Sequence, residues 1–451
     1  MIDGNIKVSQ FIDNITYNDL PETVIKKAKL CLLDLLGAVL GGSNTKAACL
    51  ARSFAKSIWP GTTNTIITEG RGSNCVGAAF ANSFQANAID IDDGFRPVKG
   101  HPGALVIPAA LAMAEHTNKS GKELLEAVIV GYEIGTRAGI IWHDYYPLYH
   151  ASGSWGSVGA AAAAAKLLNL NVEQIYNTLG IAEYQAPINP MMRCIDYPSM
   201  VKDGIGWGCT VGVTSALMAS QGFTGVPSLL GFQKYANHIN SLGSEFNLLK
   251  VYFKPHACCR WAQPAILGTI KLMAQHSLNS NEIQKINVFT FKESARLKAV
   301  SPKNTEEAQY NIVYPIAAAV ADGEVGPKQI LDDNLQNPQI IDVMNKIKIL
   351  HDSRFDERFP EIAESEVQII TKSGQSFLSG PVRAKGDWDY PLSEDELKEK
   401  FFWLARNAVS EQKAREIVQM VENADELKSI NKLMSLLSHS QGSELTHCSE
   451  S

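Results

Sequence analysis

From Leu20 to Gly42 the chain reads "LPETVIKKAKLCLLDLLGAVLGG". Apolar side chains recur at helical spacing, behind a proline suited to a first turn and ahead of a glycine pair suited to a C-cap. The pattern predicts a helix. In "SGKELLEAVIVGYEIGTRAGI", Ser120 and Glu123 stand at capping-box spacing and open another. Two further segments, "WGSVGAAAAAAKLLNL" from Trp155 and "GIGWGCTVGVTSALMAS" from Gly204, are rich in Ala, Gly and Ser. Small residues let helix axes approach closely, so these two are expected at the centre of a dense helical assembly. Helical signals run from the start to about Ala262.

Beyond residue 264 the texture changes. "QKINVFTFKE" and "NKIKILHD" favour strands by their β-branched and aromatic content, and "ESEVQIITKSGQSFLSG" reads as two strands joined around Ser373 and Gly374. A helical stretch, "YNIVYPIAAAVADG", lies between them. From Leu392 helices return: Ser393 and Glu396 form a capping box, and residues 393–409 and 410–424 are both amphipathic. The expected fold is mainly α with an inserted α+β domain. Residues 1–262 and 392–440 would form one large all-helical domain, 263–391 a smaller mixed lid domain, and 441–451, "QGSELTHCSES", a flexible tail.

Composition narrows the function classes. A chain of 451 residues with 45% hydrophobic and 20% charged residues has the apolar material for two structural units and is not a disordered polymer. The net charge of −6 is modest, and Lys and Arg are dispersed, which argues against a nucleic-acid partner. The first twenty residues resemble neither a signal nor a transit peptide, and no apolar run is long enough to span a bilayer. A cytoplasmic protein without a membrane partner is expected. The eight cysteines form no CxxC pair. The vicinal Cys258 and Cys259 lack the further thiolates that a cluster needs, so no metal or redox centre is expected.

Five constellations offer chemistry. "DIDDGFRPVKGHPG" places Asp90, Asp92 and Asp93 ahead of His101, just before an apolar helix. Crowded carboxylates beside an imidazole form a recurrent acid/base arrangement, and a helix-capping loop with solvated aspartates accounts for the same letters equally well. "WHDYYPLYHASGSWG" gathers His143, Asp144, three tyrosines and His150 without a standard metal spacing, and also fits an aromatic surface loop. In "PSMVKDGIGWG", Lys202 opposes the dipole of the next helix, which suits an anionic ligand or a plain surface lysine. "YFKPHACCRWAQPAI" brings Lys254, His256, Arg260 and Gln263 to the boundary between the two textures, where an arginine can grip a carboxylate or a hinge can pack. Tyr314 in "AQYNIVYPIAAAV" looks by its surroundings like a core tyrosine.

Together these segments, in this order and over nearly the whole chain, resemble the MmgE/PrpD family, whose members include 2-methylcitrate dehydratase, cis-aconitate decarboxylase and iminodisuccinate epimerase. The resemblance implies a helical domain with an inserted lid, a homodimer, an active site in the cleft between domains, and chemistry with no metal and no cofactor. It matches Asp90, His101, His150, Lys202 and Tyr314 to the family's catalytic positions, and leaves open which of Asp90, Asp92 and Asp93 meets the histidine. Arg260, Asp93, Gln263 and Lys254 are the expected substrate-binding residues. One departure stands out: decarboxylase-like members carry a histidine after the "CCR" motif where this chain has Gln263, which cannot titrate.

The implied substrate is a small di- or tricarboxylic acid that reacts at the carbon next to a carboxylate. Lys202 and Arg260 would hold carboxylates, and His101 and His150 would act as base and acid. Dehydration of a 2-methylcitrate-like hydroxy acid is favoured on this reading. Epimerisation of an amino- or imino-dicarboxylate comes second and decarboxylation third. A catalytically silent carboxylate-binding protein is the reading from another class.

Overall fold

The computed structural model describes residues 4–438, so the expected tail at 441–451 lies outside the described residues. Six helices carry most of the larger domain: α1 (Glu22–Gly42), α2 (Cys75–Asn87), α3 (Gly103–His116), α4 (Gly121–Tyr145), α5 (Ser152–Leu167) and α6 (Ile205–Ser220). The small-residue segments take central places, as their composition predicts. α5 is buried almost all round and packs against α3, α4 and α6. Its approach to α4 depends on glycine, because a Cβ at Gly159 would come within 2.6 Å of the Gly131 carbonyl oxygen. Ser120 and Glu123 form their capping box at the start of α4.

One segment departs from the all-helical reading. Residues Pro60–Ile66 (β1) and Gly70–Ser73 (β2) form a small antiparallel hairpin between helices. Its threonines and isoleucines favour extended backbone, and Thr65 is pinned by Glu115, which accepts bonds from its N–H at 2.7 Å and its hydroxyl at 2.6 Å.

The smaller mixed domain is built on four strands, β3 (Ile283–Thr290), β4 (Ile347–His351), β5 (Glu364–Thr371) and β6 (Ser376–Arg383), in the order β4-β3-β5-β6. β3 and β4 are parallel, with Ile286 opposite Ile347, and β5 and β6 form the hairpin expected around Gly374, whose φ is +84°. Helix α7 (Gln263–His276) covers β5 and β6, and α8 (Val313–Asp322) packs on α7. The chain then returns to the larger domain. Helix α9 (Glu394–Ala405) packs on α1, and Lys400 Nζ donates to Asp34 Oδ1 at 2.6 Å and to the Ile91 carbonyl at 2.9 Å. The fold is thus mainly α with a smaller mixed domain. No helix of the described residues is long and apolar enough to cross a membrane.

Candidate active site

The acidic loop leaves the end of α2 through a left-handed residue. Asp90 has φ +54°, and its N–H donates to the Asn87 carbonyl at 3.1 Å. Two short antiparallel bridges hold the loop beyond Asp93: Gly94 exchanges backbone bonds with Tyr252 at 3.0 and 2.8 Å, and the Phe95 N–H donates to Gly100. Gly94 must be glycine, since a Cβ there would lie 2.2 Å from Tyr252 Cζ. His101 is therefore delivered in a fixed pose. Its N–H donates to Ser152 Oγ at 3.0 Å, Ser152 donates to Asp203 Oδ2 at 2.9 Å, and the Tyr310 hydroxyl donates to Asp203 Oδ1 at 3.0 Å.

The imidazole sits among carboxylates. Nδ1 lies 2.9 Å from the Asp93 carbonyl and 3.1 Å from Asp92 Oδ2, while Nε2 lies 3.5 Å from Asp90 Oδ1 and 3.7 Å from Asp203 Oδ2. Burial disfavours the imidazolium, but the adjacent carboxylates, Asp92 foremost and Asp203 with it, together outweigh it and raise the His101 pKa to about 9. Asp92 gains in return. Burial would raise its carboxyl, and His101 and Lys254 instead hold it well below the ordinary carboxylate range.

The three aspartates have distinct surroundings. Asp92 is the carboxylate nearest the imidazole, and its Oδ1 accepts from Asn87 Nδ2 at 2.8 Å. Asp90 lines the cavity and pairs with Lys254, whose Nζ is 3.0 Å away and wholly buried. Asp93 turns aside, accepting from Tyr132 at 2.5 Å and from the Gly103 N–H at 3.0 Å; burial raises its carboxyl to about 7. Asp90, Asp92 and His101 bring ligand atoms within 4.8 Å of one another, the one described group with the spacing to hold a metal ion. Lys254 Nζ already places a positive charge beside it.

A cavity opens over this face, lined by Asp90, His101, Arg96, Lys99, Tyr149 and Arg260 among others. Tyr252, Trp261 and Tyr310 complete much of its wall. Among the expected site residues, His101, Asp90 and Arg260 come together there. Lys202 is buried beside it, donating to the Asn87 carbonyl at 2.5 Å and to Gln309 Oε1, and so joins the acidic loop to the mixed domain. Gln263 faces inward, its amide donating to the carbonyls of His256 at 2.8 Å and Cys258 at 3.0 Å.

The remaining two expected residues lie elsewhere. His150 packs edge-on to Trp142 with Nε2 3.0 Å from the Tyr146 carbonyl, and its own N–H donates to His143 Nε2. Tyr314 donates to the Gln329 carbonyl at 2.5 Å, inside the mixed domain. Tyr310, four residues earlier, supplies the phenol that reaches the cavity. Asp203 and Ser152, which link the His101 N–H to the Tyr310 hydroxyl, were not among the expected residues; a place beside Lys202 and at the start of "SGSWG" was the only signal they carried. Both vicinal cysteines are buried free thiols, with Cys259 pushed up to about 12 by burial, so neither is poised as a thiolate.

Residues 7–239 match the MmgE/PrpD N-terminal domain, and residues 256–426 match the MmgE/PrpD C-terminal domain. Three relatives named cis-aconitate decarboxylase align over almost the whole chain. The human protein is 26% identical over 453 residues, covering 94% of this chain and 92% of its own. The Aspergillus terreus protein (strain NIH 2624 / FGSC A1156) is 24% identical over 469 residues, covering 96% and 95%. The Mus musculus protein is 25% identical over 457 residues, covering 94% and 91%. With the family's N-terminal and C-terminal domains matched in order over most of its length, this chain belongs to the MmgE/PrpD family.

Proposed function

We propose that the protein is a lyase acting on a small tricarboxylic acid, with His101 as the proton donor. The observation that carries this reading is the His101 imidazole, raised to about 9 by the carboxylates of Asp92 and Asp203, facing a cavity that Arg96, Lys99 and Arg260 also line. A reaction at the carbon next to a carboxylate builds negative charge on the substrate, and fixed cations stabilise that charge as it develops. At neutral pH His101 already carries the proton to be given.

Decarboxylation fits best. The electron pair of the broken carbon–carbon bond stays on the substrate, carbon dioxide leaves, and Nε2–H delivers its proton to the resulting carbanion; solvent then reprotonates the imidazole. One acid suffices. The departure at Gln263 loses its weight against this reaction, because Gln263 holds backbone carbonyls and does not line the cavity. The names of the three relatives point the same way. Dehydration of a 2-methylcitrate-like hydroxy acid is the second reading, favoured by Asp90, an ionised carboxylate on the cavity wall that is able to take an α-proton. Epimerisation needs a second proton carrier on the opposite face, a part that falls to Tyr149 or Tyr310.

Incubation with cis-aconitate and, separately, with 2-methylcitrate, followed by mass spectrometry in deuterated buffer, tests these readings. Loss of carbon dioxide from cis-aconitate with one deuteron gained is the expected result. Loss of water from 2-methylcitrate selects the second reading, deuterium exchange without mass loss selects epimerisation, and tight binding with no product marks a silent binding protein.

The protein is further proposed to work as a homodimer. Phe54, Val201 and Trp207 stand 46%, 66% and 50% exposed around one apolar groove, and Val201 is next in sequence to Lys202. A contiguous apolar face of this kind is covered in solution more often than it is left bare. Trp207→Glu is expected to convert a dimer into a monomer in analytical ultracentrifugation, and a wild-type monomer would remove the proposal.

A further inference from the structure

Nε2 of His101 makes no hydrogen bond among the described residues, although two carboxylates flank it, Asp90 Oδ1 at 3.5 Å and Asp203 Oδ2 at 3.7 Å. A carboxylate beside an imidazolium ordinarily closes to about 2.7–2.9 Å and accepts its N–H in a charge-assisted bond. Here both are engaged from elsewhere. Asp90 Oδ1 accepts from Lys254 Nζ at 3.0 Å and from Asn87 Nδ2 at 3.4 Å. Asp203 has both oxygens taken, Oδ1 by the Tyr310 hydroxyl at 3.0 Å and Oδ2 by the Ser152 hydroxyl at 2.9 Å. Its side chain is 1% exposed, and the imidazole is the one basic group within ion-pair distance of it among the described residues.

Asp203 is seated from both domains. It lies in a turn where Lys202 has φ +42°, a left-handed conformation that a lysine keeps only where its surroundings over-determine it. The Gly153 N–H donates to the Asp203 carbonyl at 2.9 Å, which ties this turn to the start of α5, where Ser152 stands. Tyr310 arrives from the mixed domain. It is buried, and the preceding Gln309 donates to the Ala88 carbonyl at 2.9 Å, so the phenol is docked along with that segment. One domain therefore occupies Asp203 Oδ2 and the other occupies Oδ1.

We infer that Asp203 is a positioning residue for His101, held at a stand-off by Ser152 and Tyr310 so that it supplies charge to the imidazolium without accepting its Nε2–H. This rests on the reading of His101 as the proton donor. A free N–H is what the reaction consumes, because a proton already bonded to a buried carboxylate must break that bond before it can pass to the substrate. Tyr310 then acts through Asp203 and not on the substrate. The mixed domain contributes to the chemistry by docking a phenol on the carboxylate that would otherwise capture the acid.

NMR of the ligand-free protein, isotopically labelled at its histidine nitrogens, reads the state of Nε2 directly, since a charge-assisted hydrogen bond moves the proton downfield and slows its exchange with water. In the wild type the His101 Nε2–H is expected to exchange too fast to be seen at neutral pH. In Tyr310→Phe, which frees Asp203 Oδ1, and in Ser152→Ala, which frees Oδ2, it should appear downfield, assigned by its absence from Tyr310→Phe/His101→Gln. Adding Asp203→Asn to Tyr310→Phe should remove it again. On the substrate identified by mass spectrometry, Tyr310→Phe should lower kcat by about 10- to 100-fold with KM within about two-fold, the cost of breaking a hydrogen bond to a charged group before transfer. The added Asp203→Asn should restore most of that loss. The inference is overturned if neither folded single variant shows the new resonance, or if the kcat loss persists with Asp203→Asn, which would make Tyr310 a proton carrier in its own right. Turnover surviving in His101→Gln removes the proton-donor reading instead, while the resonance still reports on the stand-off.

Discussion

Replacing His101 by glutamine lowers kcat by about 10²- to 10⁴-fold and changes KM far less, because the imidazolium gives up its proton only as the substrate's charge develops. Turnover on the substrate identified by mass spectrometry measures it; wild-type kcat in the variant would remove His101 from the chemistry. The pH profile is a second readout of the same group. The reactive form is protonated and its pKa is raised to about 9, so kcat/KM holds up through neutral pH and falls as pH climbs through about 9. Asp92→Asn removes the carboxylate 3.1 Å from Nδ1, and the alkaline fall should move down by about 1–3 pH units. Asp93→Asn should leave it in place, because that carboxylate is spent on Tyr132 and Gly103. An alkaline fall that stays put in Asp92→Asn, or moves equally in both variants, would deny Asp92 control of the imidazole.

Lys254→Met destabilises the protein by about 3–5 kcal/mol, the effect expected when one partner of a buried ion pair is removed and the other is left charged in the interior. Lys254 is wholly buried, 3.0 Å from Asp90 Oδ1 and 3.9 Å from Asp92 Oδ1. Without it Asp90 and Asp92 lose their buried ammonium partner and are left to His101 and the more distant Lys202. The double variant Asp90→Asn/Lys254→Met should recover part of the loss, since the stranded charge goes with its partner. Urea unfolding of the single and double variants at pH 7 checks this, and a Lys254→Met protein as stable as wild type would show that Asp90 takes up its proton at no cost.

Much of this site was legible because its parts are local. The "HPG" turn before an apolar helix, the arginine after paired cysteines and the aspartates before the histidine each sit within one short segment, and the order of the segments carried the family likeness. Facing directions were not legible. The loop keeps the alternation that the letters "DIDD" suggest, with Asp90 and Asp92 turned to the imidazole and Asp93 to Tyr132, but nothing in the letters says which face meets His101. Tyr310 and Tyr314 are separated by the entry into α8, and no pattern in "YNIVY" says which phenol points outward. Asp387 meets Arg260 only because the chain after β6 returns to the mouth of the cavity. The β1–β2 hairpin escaped notice because seven and four residues give too short a period to stand out between helices.

The contact that Lys400 makes with Asp34 and the Ile91 carbonyl has a consequence for biosynthesis. Ile91 stands between the two aspartates that flank His101, yet its anchor is made hundreds of residues later. As the chain leaves the ribosome, the first helices emerge with Asp34 uncompensated and the acidic loop untethered, and domains otherwise tend to settle in the order of synthesis. The acidic loop therefore gains this anchor only once α9 has been made, and a nascent chain halted before residue 400 would lack the tie from Asp34 to the Ile91 carbonyl.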